Sequence, residues 1–171
     1  MPQPLHAQVT PELARQVLSG DAPLSSLFHV SREQIAEMAL FGHQLWRQGR
    51  RVEARKVFRG LIALDDTAYY GHAGMGLVAM SQDDLGSAEH YLTRALALEP
   101  SDAAVAVNLG EVLLRQGKVE PAIAAFRTAA SLDPSGVNAG AARARAILVG
   151  LGSGLLASQQ AAAGSSTAGE R

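Results

Sequence analysis

The sequence predicts an all-α protein of stacked helical hairpins, and three observations predict it. First, one period repeats without a gap: Gly42, Gly76 and Gly110 are 34 residues apart, as are Gln48, Gln82 and Gln116. Ala54, Ala88 and Ala122 keep the same step, followed by Phe58, Leu92 and Phe126, and by Leu64, Leu98 and Leu132. Second, the apolar residues inside a period, such as Val57, Phe58, Leu61, Ile62 and Leu64, follow helical spacing rather than alternation. Third, Pro100 and Pro134 close their periods where a proline ends a helix.

A glycine inside a helix costs about 1 kcal/mol against alanine. Three glycines in register therefore need a packing reason: a missing side chain lets two helices approach closely. A period of this length, with small residues at the centre of each first helix and early in each second, resembles the tetratricopeptide repeat. The resemblance implies repeats over 35–68, 69–102 and 103–136. Leu61 stands where the family has alanine, Asp66 where it has proline, and Met38, His72 and Ala106 where it has tryptophan. Each hairpin leaves an apolar face open that stacking closes.

Flanking segments are read in the same way. Thr10 and Pro11 fit a helix start, and Gly20 fits its stop. Asp21 to Val30 is a linker whose Leu24, Leu27 and Phe28 pack on the first repeat or on a second copy. Ser31 and Gln34 form a capping box. Residues 137–149 are expected to form a capping helix, with Val137, Ala141, Ala144, Ile147 and Leu148 on its inner side. Residues 1–30 are thus an N-terminal helix and linker, 31–150 the repeat domain, and 151–171 a flexible tail, disordered from about Ser158.

Composition narrows the function. A net charge of -1 argues against a dedicated nucleic-acid binder, though it leaves room for a small charged patch. The absence of cysteine excludes disulfides and thiolate zinc sites. Met1 to Thr10 lacks the apolar stretch of a secretory leader, and no apolar run is long enough to span a bilayer. A cytoplasmic protein is the expectation.

Little in the chain points to chemistry. His6, His29, His43, His72 and His90 show no metal-ligand spacing, so surface or groove positions and no metal are expected. Gly150-Leu151-Gly152-Ser153-Gly154 follows a helix and lacks the Lys-Ser/Thr ending of a phosphate loop, which leaves a hinge or helix end. Asp65-Asp66 and Asp83-Asp84 fall at helix junctions, where carboxylates serve as caps. No cofactor and no catalytic residue is expected.

In a tetratricopeptide-repeat superhelix the first helix of each repeat lines a concave groove. The inward positions are then Ala39, His43 and Trp46, followed by Tyr70, Ala73, Leu77 and Met80, and by Val107, Glu111 and Leu114. Trp46 and Met80 either fill core or act as apolar anchors for a peptide. The Lys and Asn of a carboxylate clamp are absent from Ala39, His43, Ala73 and Leu77. An extended protein segment with apolar anchors is the expected ligand.

The stretch Ala54-Arg55-Lys56-Val57-Phe58-Arg59-Gly60-Leu61-Ile62-Ala63-Leu64-Asp65, with Gly74-Met75-Gly76-Leu77 after it, resembles the class II type III secretion chaperones. That resemblance implies a bacterial cytoplasmic chaperone, not an enzyme, that holds a translocator protein before export. It also implies a homodimer through residues 10–30. Of the group's aromatic groove residues, only Trp46 keeps aromatic character. A scaffold that joins folded subunits is the competing reading.

Overall fold

The computed structural model describes residues 10–28, 30–133 and 137–166, with side chains placed as far as Ser153 in the last segment. His6, His29 and Pro134 lie outside the described residues, as do 167–171 of the tail. Among the described residues all regular structure is helical, as the periodicity predicts. The chain divides into two compact units, Met1–Pro100 and Ser101–Arg171.

In the first unit, α1 spans Pro11–Ser19 and starts as its sequence dictates. The Thr10 hydroxyl accepts the Leu13 N–H at 3.2 Å, and Gly20 closes the helix at a left-handed φ of 86°. A single 3-10 turn covers Leu24–Leu27. Helix α2, Arg32–Arg47, opens on the expected capping box: the Gln34 N–H donates to the Ser31 hydroxyl, and the Ser31 N–H to the Gln34 side chain. Helices α3 (Arg51–Leu64), α4 (Tyr69–Ser81) and α5 (Leu85–Leu98) complete two hairpins, α2/α3 and α4/α5.

The glycines in register do what the period requires. A Cβ on Gly42 would stand 2.8 Å from the Phe58 ring, and one on Gly76 would stand 2.5 Å from Leu92. Phe58 is fully buried and is gripped from the other side by Gly74, so one ring ties the first hairpin to the second. Ile35, Ala39, Leu45, Ala54, Leu61 and Val78 surround it, with Trp46 and Tyr91 half-buried at the edge. The turn inside each hairpin also repeats: Gly49, Asp83 and Gly117 all have positive φ, at 77°, 60° and 76°.

The second unit holds α6 (Ala103–Arg115), α7 (Val119–Ser131) and α8 (Ala139–Ser166). Asp102 caps α6, its carboxylate accepting the N–H groups of Ala104 and Val105 at 2.8 and 3.0 Å. Phe126 packs on Gly110 as Phe58 does on Gly42. Ala144 lies 34 residues after Gly110 and is fully buried, so the first half of α8 takes the place of a further first helix. The Arg145 guanidinium donates to the carbonyls of Ala130 and Asp133 at 3.2 and 2.8 Å, which satisfies the end of α7.

Several expectations need correction at this end. Val137 precedes α8 and is exposed, while Ala141 and Ala144 are buried and Ile147 and Leu148 half-buried as predicted. The helix does not stop near residue 149. It runs through Gly150, Gly152 and Gly154 to Ser166, so the hinge and the start of the tail lie inside it. The segment holds no proline and is rich in alanine and leucine, whose helix propensity offsets the glycines.

Candidate peptide-binding site

In α4 every residue from Gly71 to Gly76 is buried, as are Val78 and Ala79. What the helix leaves open is one stripe. Tyr70 is 43% exposed, Leu77 and Met80 are half-buried, and Ala73 forms a small buried floor between them. The spacing i, i+3, i+7, i+10 places all four on one face. These are the residues the sequence assigns to the groove in the second repeat.

The corresponding residues of α2 are shared with the core. Ala39 is 2% exposed. The His43 ring meets Phe58 edge-on at 5.4 Å, and burial lowers its pKa below the ordinary histidine value, which favours the neutral imidazole. Trp46 packs against the core cluster with its indole N–H buried and without an acceptor among the described residues. Core-filling therefore accounts for part of Trp46, and its remaining exposed area borders the stripe position it shares with Met80 in the period.

In the second unit the assigned positions have other commitments. Val107 is 1% exposed and belongs to the interior. The Glu111 carboxylate is held by the Arg143 guanidinium of α8 at 2.5 Å. Leu114 is half-buried.

His72 is a further correction, because it is neither a surface nor a groove residue. It is 6% exposed, Nε2 lies 2.8 Å from the Asp66 carbonyl oxygen, and the ring leans on Tyr91. It occupies the position at which the repeat family has tryptophan, so burial follows from the register. Among the described residues no group of His, Asp or Glu has the arrangement of a metal site. The paired aspartates act at helix ends as expected: Asp84 accepts the Ser87 N–H at 3.1 Å and Asp65 accepts both the N–H and hydroxyl of Thr67. The hydrogen bonds from Ser87 hold the Asp84 carboxyl below its ordinary pKa, which suits a cap and not a general acid.

The sequence gave no warning of a second apolar surface at the start of the array. Phe28, Met38, Leu40 and Phe41 are all exposed, and Leu18 is almost wholly so. Met38 and Phe41 stand 34 residues before His72 and Met75, which are buried. The difference is positional: in the second repeat α3 covers these places, and the first repeat has no predecessor.

Residues 73–137 match the tetratricopeptide repeat family. No curated protein sequence matches the chain. Solved structures do. The type III secretion translocator chaperone SycD of Yersinia enterocolitica aligns with a TM-score of 0.66 and 18% identity, over 75% of this chain and 98% of that one. A type III secretion complex from Aeromonas hydrophila aligns at 0.71 and 22%, over 84% and 97%. PcrH from Pseudomonas aeruginosa aligns at 0.62 and 22%, over 70% and 92%. SycD has also been solved with a peptide of the translocator YopD, and PcrH with the chaperone-binding regions of PopB and PopD. The fold of this chain is thus a tetratricopeptide-repeat fold. The solved proteins that share its layout include translocator chaperones of type III secretion.

Proposed function

We propose that this protein is a chaperone, without catalytic activity, that holds an extended segment of a secreted translocator in the bacterial cytoplasm. The observation that carries the reading is the open stripe of Tyr70, Ala73, Leu77 and Met80 on an otherwise buried helix. Leu77 and Met80 offer apolar contact, Tyr70 adds a ring with a hydroxyl, and the small Ala73 leaves room for a partner's side chain between them. Trp46 and His43 extend this surface along α2, and Leu114 is the corresponding apolar residue of α6. The likeness in fold to SycD and PcrH, which are known with translocator segments bound, supports the same class of ligand here.

A homodimer is part of the proposal. Leu18, Leu24 and Phe28, with Met38 and Phe41 behind them, form an apolar surface that a second copy would cover. SycD is known in more than one dimeric form, which supports self-association at this end.

The test is titration of the full chain with a Pro/Leu-containing translocator peptide, read by Trp46 fluorescence. Binding that Leu77→Glu weakens by about tenfold or more, with unchanged helical circular dichroism, is the expected result. A Leu77→Glu protein that is folded and binds as tightly as the parent refutes the site.

A further inference from the structure

A second surface of the first unit is set apart by its charge. Residues 47–59 hold Arg47, Arg50, Arg51, Arg55, Lys56 and Arg59 against the single carboxylate of Glu53. The chain as a whole is nearly neutral, so its cations are concentrated on α3. Glu53 is occupied by Arg50 at 3.1 Å. Arg51, Arg55 and Arg59 are exposed, and their guanidinium groups have no ion-pair partner among the described residues. Their four-residue spacing puts them in one row, about 6 Å apart along the helix.

Arg55 and Arg59 also form one wall of a cleft of about 300 Å³. Its floor is Met75, Val78 and Ala79 of α4, and its far wall carries Tyr91 and Ser87 of α5. Helical spacing sets Met75, Val78 and Ala79 on the flank of α4 away from Tyr70, Leu77 and Met80. The cleft is therefore separate from the candidate peptide-binding stripe.

We infer that this cleft and the arginine row dock an acidic, amphipathic segment of a second protein, at a site that remains open while the stripe is filled. Charge complementarity selects carboxylates: planar guanidinium groups pair with them in bidentate fashion. A helical segment with Glu or Asp at i, i+4 and i+8 repeats at the spacing of Arg51, Arg55 and Arg59. The apolar floor selects protein over nucleic acid. A phosphate backbone would meet the arginines and leave Met75 and Val78 without a partner. The Asp84 carboxylate at the rim would also repel a continuous polyanion. A leucine next to the acidic row would cover that floor.

The experiment uses the full chain and a fluorescent helical peptide carrying Glu at i, i+4 and i+8 beside a leucine stripe. Parallel arms use the same peptide with Gln for Glu, a single-stranded oligonucleotide, and phosphatidylserine vesicles. The Glu peptide is expected to bind with an affinity that falls as salt rises, and R55E/R59E is expected to weaken it at least about tenfold. Binding of the Pro/Leu peptide at the stripe should be unchanged in that variant. Equal binding of the Gln peptide, tighter binding of the oligonucleotide or vesicles, or unchanged binding by R55E/R59E would overturn the inference. So would an effect of the variant confined to self-association in sedimentation. If charge reversal costs helical structure, R55Q/R59Q takes its place, and full affinity in that folded variant has the same meaning.

Discussion

Gly74 and Gly60 are both helical glycines in the first unit, and replacing each by alanine should move stability in opposite directions. A Cβ on Gly74 would lie 2.3 Å from Phe58 Cδ1 and 2.4 Å from both Cε1 and Cγ. These are atoms of a rigid ring, not the end of a flexible chain. The ring cannot retreat, because Gly42 already meets it from α2, where even a Cβ would stand 2.8 Å away. Overpacking of this kind costs about 1–3 kcal/mol. Alanine recovers about 1 kcal/mol of helix propensity. Three ring atoms inside 2.5 Å put the strain at the top of its range, so Gly74→Ala should lose about 2 kcal/mol net. Gly60 sits in α3 with nothing within 4 Å of its would-be Cβ. There the propensity gain is unopposed, and Gly60→Ala should gain up to about 1 kcal/mol. Urea unfolding followed by Trp46 fluorescence reads the first unit and keeps the measurement local. If Gly74→Ala proves as stable as the parent, or if both substitutions shift stability in the same direction, the close approach at Phe58 is not what holds the two hairpins together.

The repeated left-handed turn gives a second contrast: Gly49→Ala should lose about 1 kcal/mol with no steric clash, since nothing lies within 4 Å, and Asp83→Gly should lose less than Gly49→Ala or gain. Thermal unfolding of both variants checks this, and a larger loss for Asp83→Gly would refute it. His43 should make the first unit sensitive to acid. Its pKa is lowered in the fold by burial, so the unfolded chain binds the proton more readily. The neutral ring's contribution is complete above the ordinary histidine value, near 6.5, and declines as pH falls below it. His43→Leu should flatten the stability profile just below neutrality. A profile there that is identical in the two proteins would count against it. The carboxyls of Glu33, Glu53 and Asp84, lowered chiefly by hydrogen bonds, should lose their contribution only at more acid pH, below the ordinary carboxylate range.

What was legible in the sequence was whatever the period controls. The glycine register, the paired helices, the Thr10 and Ser31 caps and the Gly20 stop all follow from local chemistry at fixed spacing. So does the open stripe of α4, because Tyr70, Ala73, Leu77 and Met80 share a face by helical arithmetic alone. The misses are places where neighbours decide. His72 reads as a polar residue on a helix, yet its register puts it under Tyr91 and beside the Asp66 carbonyl. Glu111 reads as a groove residue until α8 brings Arg143 against it, and no spacing within one repeat predicts that pair. The length of α8 was misjudged because its glycines were read as breaks, although each is a modest cost in a proline-free, alanine-rich segment. Met38 and Phe41 look like ordinary core residues in register. Their exposure is visible only when the first repeat is recognised as having nothing before it.

The same period explains why the candidate site is uneven. Three positions recur in each first helix: Ala39, Ala73 and Val107; His43, Leu77 and Glu111; Trp46, Met80 and Leu114. If the fold alone determined binding, the three sets would be equivalent. They are not. In α4 the set is apolar, partly open and free of polar commitments. In α2 it is split, because His43 and Trp46 also brace Phe58 and the core around it. In α6 the first residue is interior and the second is neutralised by Arg143. An apolar anchor therefore gains most from α4, where contact displaces water from Leu77 and Met80 without breaking an existing bond. On α6 the same anchor would have to leave an ion pair intact beside it or desolvate it at a cost. The repeat supplies the scaffold, and single side chains at equivalent positions decide where on it a ligand is held.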